Sequence, residues 1–380
     1  MNRWPTKRLC DLAEVKAGFA WKAAAFSESE DAGPPVIRIQ NLGSNDNAVF
    51  AYYSGDVEPG YWVEKGDLLV SLSGSFKVCQ WDGPSALLNQ RIVVIRPGAQ
   101  LKRSFAFYQI SERLREISQA AVGIAVANAS MGTVRDMEFS VPPLAEQDRI
   151  VKLLDEADEL RKLRAQADGR TANLIPSLFH EMFDGIRGWP VERLEKLCER
   201  VTVGHVGPMA TEYCEKGVPF LRGQNIKRGF IDLSTTLFVS EDFHRRLAKS
   251  AIAPGDVVSV RTGKPGTTAV VPPLLKVANC ADLIVMTCGP RLIPEFLCEL
   301  LNQRLGDKDK IAGARGIAQQ HFNIGEARKL EMGVPPLALQ KQFAARASEI
   351  RAVQAEQAAS HRRFDDLFQS MLHRAFKGEL

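Results

Sequence analysis

Arg38, Gln40, Asn41, Ser73, Ser75, Lys77, Asn89, Gln90 and Arg91 form one group of hydrogen-bonding side chains in this chain. Arg222, Gln224, Asn225, Lys227, Arg228, Arg261, Thr262, Lys264, Thr267 and Thr268 form a second. Both groups fall at the ends of short apolar runs. An arginine can grip a guanine edge with two donors, an Asn or Gln amide matches adenine, and Lys, Ser and Thr hold phosphate oxygens. Such a mixture suits recognition of nucleic acid by loops. The pieces Arg38-Ile39-Gln40-Asn41 and Arg222-Gly223-Gln224-Asn225 have an equally simple structural reading, in which the Asn closes a tight turn.

Signals for catalysis are scarce. Gly263-Lys264-Pro265-Gly266-Thr267-Thr268 superficially suggests a phosphate loop, but its order is wrong and Pro265 removes an N–H that such a loop needs. There is no G-x-S-x-G elbow, no H-E-x-x-H and no G-x-G-x-x-G. Seven cysteines without a C-x-x-C pair fit reduced, mostly buried thiols better than a zinc site or a disulfide framework. The acid pairs Asp155-Glu156 and Asp365-Asp366 read as solvated helix faces, and His180 and His373 as packing residues late in long helices. No metal, cofactor or active site is expected.

The elements that must carry these residues come in two copies. Val141-Pro142-Pro143-Leu144-Ala145-Glu146-Gln147 recurs as Val334-Pro335-Pro336-Leu337-Ala338-Leu339-Gln340, and 334 − 141 = 193. Ser177, His180, Phe183 and Gly185 match Ser370, His373, Phe376 and Gly378 at the same spacing. Upstream, Trp4-Pro5 answers to Trp189-Pro190, and Gly66-Asp67 to Gly255-Asp256. A repeat of so long a period marks duplicated domains rather than a solenoid. Where the flanks agree, Gln319-Gln320-His321-Phe322-Asn323 differs in chemistry from residues 126–130, so Gln320 and His321 join the candidates. Variable side chains on a shared frame suggest halves that read different things.

Within each half, apolar runs predict strands at 36–39, 67–72 and 91–95, and at 220–222, 256–260 and 283–287, with helices at 104–118 and 294–305. Proline in the first turn makes each VPPL segment a helix start. Behind the first, Ile150, Leu153, Ala157, Leu160, Ala167, Thr171, Leu174, Leu178 and Met182 recur three and four apart, the pattern of a helix seam. Its 39 residues would make a rod of roughly 58 Å, with Gly169 and Pro176 able to bend or end it. The second seam, from Phe343 to Ala375, is polar in its middle at Gln354, Gln357 and His361. A lone helix with one apolar stripe needs a partner, and the two repeats can serve each other.

Charge narrows the function further. Residues 1–143 carry 15 Lys+Arg against 15 Asp+Glu, and residues 186–336 carry 21 against 16. A chain relying on itself for nucleic-acid affinity is usually more basic, so either DNA is not the ligand or a partner supplies much of the field. No apolar run reaches the ~20 residues of a membrane span, and a cytoplasmic location is the default expectation.

The tandem halves, the V-P-P-L-A-x-Q openings at Val141 and Val334, the long helices behind them and the Gly66 and Gly255 stretches together resemble the specificity subunit of Type I restriction-modification systems. The resemblance covers essentially the whole chain. It implies an α+β fold of two tandem mixed α/β target recognition domains, 1–143 and 186–336. Each is followed by a long spacer helix, 144–185 and 337–380, and the two helices would pair as an antiparallel coiled coil. It implies a non-catalytic subunit that reads a bipartite target on double-stranded DNA. Partner methyltransferase subunits, two per specificity subunit, would methylate adenine, and endonuclease/translocase subunits would cleave. Leu339 stands where the first repeat has Glu146, which implies unequal docking at the two helices. A contrasting reading is a helical scaffold or regulator whose two globular domains bind protein.

Overall fold

The computed structural model describes residues 4–43, 49–73, 76–120, 130–185, 188–305 and 322–380. Ser75, Gln320 and His321 lie outside the described residues. The chain divides into two compact units, one formed by Met1–Gln166 with Ala359–Leu380, the other by Ala167–Ala358. Each unit therefore holds one globular part and a piece of both long helices.

In the first unit, a four-stranded antiparallel sheet runs in the order Ala13–Ala17, Ile92–Pro97, Leu68–Ser71, Val78–Gln80. The strand Leu68–Ser71 is buried along its whole length because both faces are covered. Successive side chains on a strand point to opposite faces. Leu68, Val70, Val93 and Ile95 accordingly meet Phe105, Ile110 and Leu114 of the helix Arg103–Ala120. Leu69, Ile92 and Val94 face the other way, toward Ile37, Val63 and Leu88 of a second sheet. That sheet has five strands, ordered Phe26–Ser27, Ala51–Tyr53, Pro35–Ile37, Ala86–Leu88, Trp62–Val63, with one parallel pair at its centre.

The second unit repeats this plan. Its four-stranded sheet is Cys198–Val203, Leu283–Cys288, Val257–Val260, Thr268–Val270, and its five-stranded sheet is Tyr213–Cys214, Leu237–Val239, Val218–Leu221, Ala278–Cys280, Ala251–Ile252. Val257, Ile284 and Met286 pack on Phe296 and Leu297 of the helix Pro294–Leu305. Val258, Val260, Leu283 and Val285 pack on Leu221, Ile252 and Ala278. The duplication seen in the sequence is thus a duplication of sheet order and of layer.

Each V-P-P segment ends where a long helix begins, at Leu144 and at Leu337. The repeated glutamine explains why the segment recurs. Gln147, fully buried, donates to the Pro142 and Gln100 carbonyls at 2.9 Å each and accepts from the Lys102 N–H at 2.8 Å. Gln340 does the same with the Pro335 and Arg291 carbonyls at 2.8 and 3.1 Å and the Ile293 N–H at 2.9 Å. Either amide fastens the start of a long helix to the loop that opens the domain's own helix.

The first rod is not continuous. It runs Leu144–Ala172, breaks at Asn173 and resumes as Leu174–Phe183. A proline ring collides with the carbonyl four residues earlier, and Pro176 places that collision at Ala172, where the first segment stops. The second helix, Leu337–Lys377, is unbroken over 41 residues. Within the first unit, Arg149 donates to the Leu380 carbonyl at 2.8 Å, and Arg161 donates to Asp365 at 2.8 Å while lying over the Phe368 ring. Within the second, Thr171 donates to Gln357 at 2.7 Å, Gln354 donates to the Thr171 carbonyl at 2.7 Å, and Phe179 meets Phe343 edge to face. In both units the partner number falls as the first helix advances, so the pieces run antiparallel.

The seam departs from the apolar stripe expected from spacing. Leu154 is fully buried where Leu153 is only partly so, and Leu160 and Leu174 are 54% and 45% exposed. Salt-bridged Arg161 occupies the seam beside Leu160 instead, while Thr171, expected in the stripe, takes its place there through a hydrogen bond. The polar middle of the second helix is therefore matched by polar groups on the first.

Candidate nucleic-acid interface

Three chain segments converge at the same place in each unit. In the first, the Arg38–Asn41 turn follows the strand Pro35–Ile37, the loop after Leu68–Ser71 carries Ser73 and Lys77, and Gln90 and Arg91 precede the strand Ile92–Pro97. Lys77 donates to the Leu42 carbonyl at 3.2 Å and the Leu72 N–H to the Arg91 carbonyl at 2.9 Å, which ties the three together. In the second, the Ala281 N–H donates to the Leu221 carbonyl at 2.9 Å, and Arg261 and Thr262 both reach Asp282.

The Asn residues serve the fold. The Arg38 N–H donates to the Asn41 side-chain oxygen at 2.8 Å, and the Asn41 amide donates to the Val49 carbonyl at 3.2 Å. Asn225 accepts from the Arg222 N–H at 2.9 Å and donates to the Asp232 carbonyl at 3.1 Å. Both are buried, as is Thr268, whose hydroxyl bonds Ser259 and the Gly266 carbonyl. These three side chains are turned away from solvent. Each Asn holds its neighbouring arginine at the mouth of the turn.

Gln40, Lys77, Gln90, Arg91, Gln224, Lys227, Arg228 and Lys264 are exposed, and Arg38, Ser73, Arg222, Arg261, Thr262 and Thr267 partly so. Several are already engaged. Arg38 and Arg222 donate to the Val49 and Thr235 carbonyls at 3.4 and 3.3 Å, Gln224 donates to the Thr235 hydroxyl at 3.4 Å, and Arg228 pairs with Glu299 at 3.2 Å. The Glu299 side chain is 3% exposed, and burial raises its carboxyl above the usual range despite Arg228. Arg228 thus balances an interior charge, whereas Lys264 stands exposed on the loop between the strands Val257–Val260 and Thr268–Val270.

Asp282 belongs to this site and sequence reasoning missed it. It has a φ of +52°, a conformation that Asp tolerates better than most side chains. Its N–H donates to the His205 carbonyl at 3.0 Å, as the Gln90 N–H donates to the Phe19 carbonyl at 3.0 Å in the first unit. An acid that anchors Arg261 and Thr262 in one unit therefore stands where the other unit has an amide. The signal was available in the alignment of Asn89-Gln90 with Ala281-Asp282.

What this defines is a duplicated α/β frame that carries two differing sets of hydrogen-bonding groups on equivalent loops. The Type I restriction modification DNA specificity domain family matches residues 1–167. The chain is 24% identical to the Type I restriction enzyme EcoBI specificity subunit of Escherichia coli, over all of this chain and 86% of that one. It is 21% identical to the MjaVIII specificity subunit of Methanocaldococcus jannaschii over 52% of this chain and 50% of that one. Two solved structures share its fold. One, from a study of complex assembly and conformational transition of the Type I R-M system, has a TM-score of 0.60 at 17% identity and covers 99% and 98% of the two chains. The other, the S subunit of a Type I restriction-modification system from M. genitalium, has a TM-score of 0.52 at 14% identity over 99% and 96%. Residues 1–167 thus match the Type I specificity domain, and the chain is similar along its whole length to a Type I specificity subunit.

Proposed function

We propose that this chain is the DNA-reading subunit of a Type I restriction-modification complex, with no reaction centre of its own, and that its two globular parts, 1–143 and 186–336, each read one half of a split target. The observation that carries the reading is the pair of equivalent loop clusters with unlike side chains, Gln90 with Arg91 in one and Arg261, Thr262 and Asp282 in the other. The long helices at 144–185 and 337–380 would pair as an antiparallel coiled coil and set the length of the unread gap. Methyltransferase subunits, two per chain, would then methylate adenine in each half-site, and endonuclease/translocase subunits would add cleavage. A neutral first part, 15 basic against 15 acidic residues, fits a subunit whose partners supply much of the attraction to phosphate.

Binding of the chain with its methyltransferase partner to DNA should be sequence-dependent and weaken steeply with salt. Lys264→Ala should lower affinity for DNA and reduce the slope of log K against log salt by about 0.9, one phosphate contact. Only targets carrying the second half-site should feel it. Equal loss on DNA that retains the first half-site alone would sink the assignment of one half-site to each part.

A further inference from the structure

A second cluster lies in the first unit, away from the loops. Glu112 and Glu116 stand one turn apart on the helix Arg103–Ala120, and His373 reaches them from the helix Leu337–Lys377. One ligand atom from each lies within 4.8 Å of the others. They line a cavity of about 340 Å³ with Gln109, whose side chain is fully buried and whose amide oxygen and nitrogen have no hydrogen-bond partner among the described residues. A buried amide without partners is costly to keep, which points to a ligand for it in the cavity.

The fold does not require this chemistry. Gln147 and Gln340 hold Lys102 and Ile293 in the same way, which aligns the two domain helices at a spacing of 293 − 102 = 191. At that spacing Gln109 and Glu112 fall on Leu300 and Gln303 of the second copy. His180, the repeat partner of His373, is occupied by Asp184 at 2.5 Å. Among the described residues, only the first copy combines an imidazole, two carboxylates and an orphaned amide.

We infer that Gln109, Glu112, Glu116 and His373 form a binding site for one divalent transition-metal ion, of the class of Zn²⁺, that fastens the first domain's helix to the C-terminal helix. Imidazole together with carboxylate oxygen suits such an ion better than Mg²⁺ or Ca²⁺, which prefer oxygen alone. The surrounding arginines act as the outer shell. Arg115 grips both Glu112 oxygens at 2.5 and 2.8 Å, and Arg113 holds one Glu116 oxygen at 2.8 Å. A carboxylate oxygen keeps a second lone pair when it accepts one such bond, and a hydrogen-bonded ligand is held in orientation for the metal. Tetrahedral donors at ordinary zinc bond lengths sit about 3.3 Å apart, so the cluster must tighten, which the partly exposed Glu116 and exposed His373 can do. The role is structural, since none of the residues that line the cavity belongs to the loop clusters.

Equilibrium dialysis of the full chain, bound to its methyltransferase partner, against ZnCl₂ tests the inference. One ion per chain is expected, with affinity lowered about tenfold or more in His373→Ala and in Glu116→Gln, since loss of a ligand costs no less than loss of its outer-shell partner. Both positions have solvent access, and circular dichroism should report an unchanged fold. Cobalt in place of zinc should give visible bands without a thiolate charge-transfer band. Binding well below one ion per chain, affinity indifferent to both variants, or a thiolate band placing the ion on cysteine would each overturn the site.

Discussion

At the scale of single residues, equivalent positions trade partners without disturbing the frame. Gly66-Asp67 and Gly255-Asp256 begin their strands alike, each Asp capping the N–H three residues earlier at 3.0 Å and each gripping an arginine at 2.7 Å. The arginine differs. Arg96 comes from the central strand and faces Glu14 across the ladder, whereas Arg200 comes from the edge strand and faces Thr287. The acid is legible as a repeated motif, but its partner is not, because only strand pairing brings residues 29 or 56 positions away into contact. The same limit hid the partners of Asp282. Replacing Gln340 by Leu should lower stability by about 3 kcal/mol, the lower end of the usual cost for each of three stranded backbone groups; chemical denaturation measures it. Burial pushes the Cys79 thiol up to about 11 and those of Cys280 and Cys298 to about 12. Alkylation of the native chain at about pH 8 should therefore spare these three and modify exposed Cys214, with peptide mass spectrometry reading the pattern.

At the scale of elements, apolar patterning was informative where an element has at least one dry face. The strands expected at 67–72 and 283–287 appear as Leu68–Ser71 and Leu283–Cys288, and the helix at 104–118 as Arg103–Ala120. The long helices were legible in extent but not in facing. Spacing alone put Leu160 and Leu174 in the seam because they are large and apolar, and it found Thr171 but not Arg161, whose partner Asp365 comes from the other helix. Periodicity cannot weigh a polar pair against a leucine when the second partner is nearly two hundred residues away. The apolar anchor is firmer. Phe343 is fully buried among Phe179 and Phe183, with ring centres 5.4 and 5.6 Å away. Phe343→Ala should cost about 3–5 kcal/mol. A fall in thermal midpoint no larger than that of Val353→Ala, a residue 51% exposed, would mean the aromatic cluster is not the anchor.

For the whole molecule, the duplication of sheet order makes the division of labour testable. Inserting one heptad into 145–172 and a matching heptad into the helix Leu337–Lys377 should lengthen the gap between half-sites and leave both half-sites as they were. Mapping methylated adenines in cells carrying the insertion reads both quantities at once, and an altered half-site would refute the separation of roles. The glutamines that seat the two helix starts bear on this in another way. Gln147 and Gln340 contact main-chain atoms only, two carbonyls and one N–H apiece. The seat is therefore indifferent to which side chains a globular part carries. A foreign reading part joined at Val141 or Val334 would keep this seat by preserving the path of one short loop, provided that its own helix still offers apolar partners to Ile150 and Leu154, as Phe105 does here, so the joint is a coupling with a main-chain half and a side-chain half.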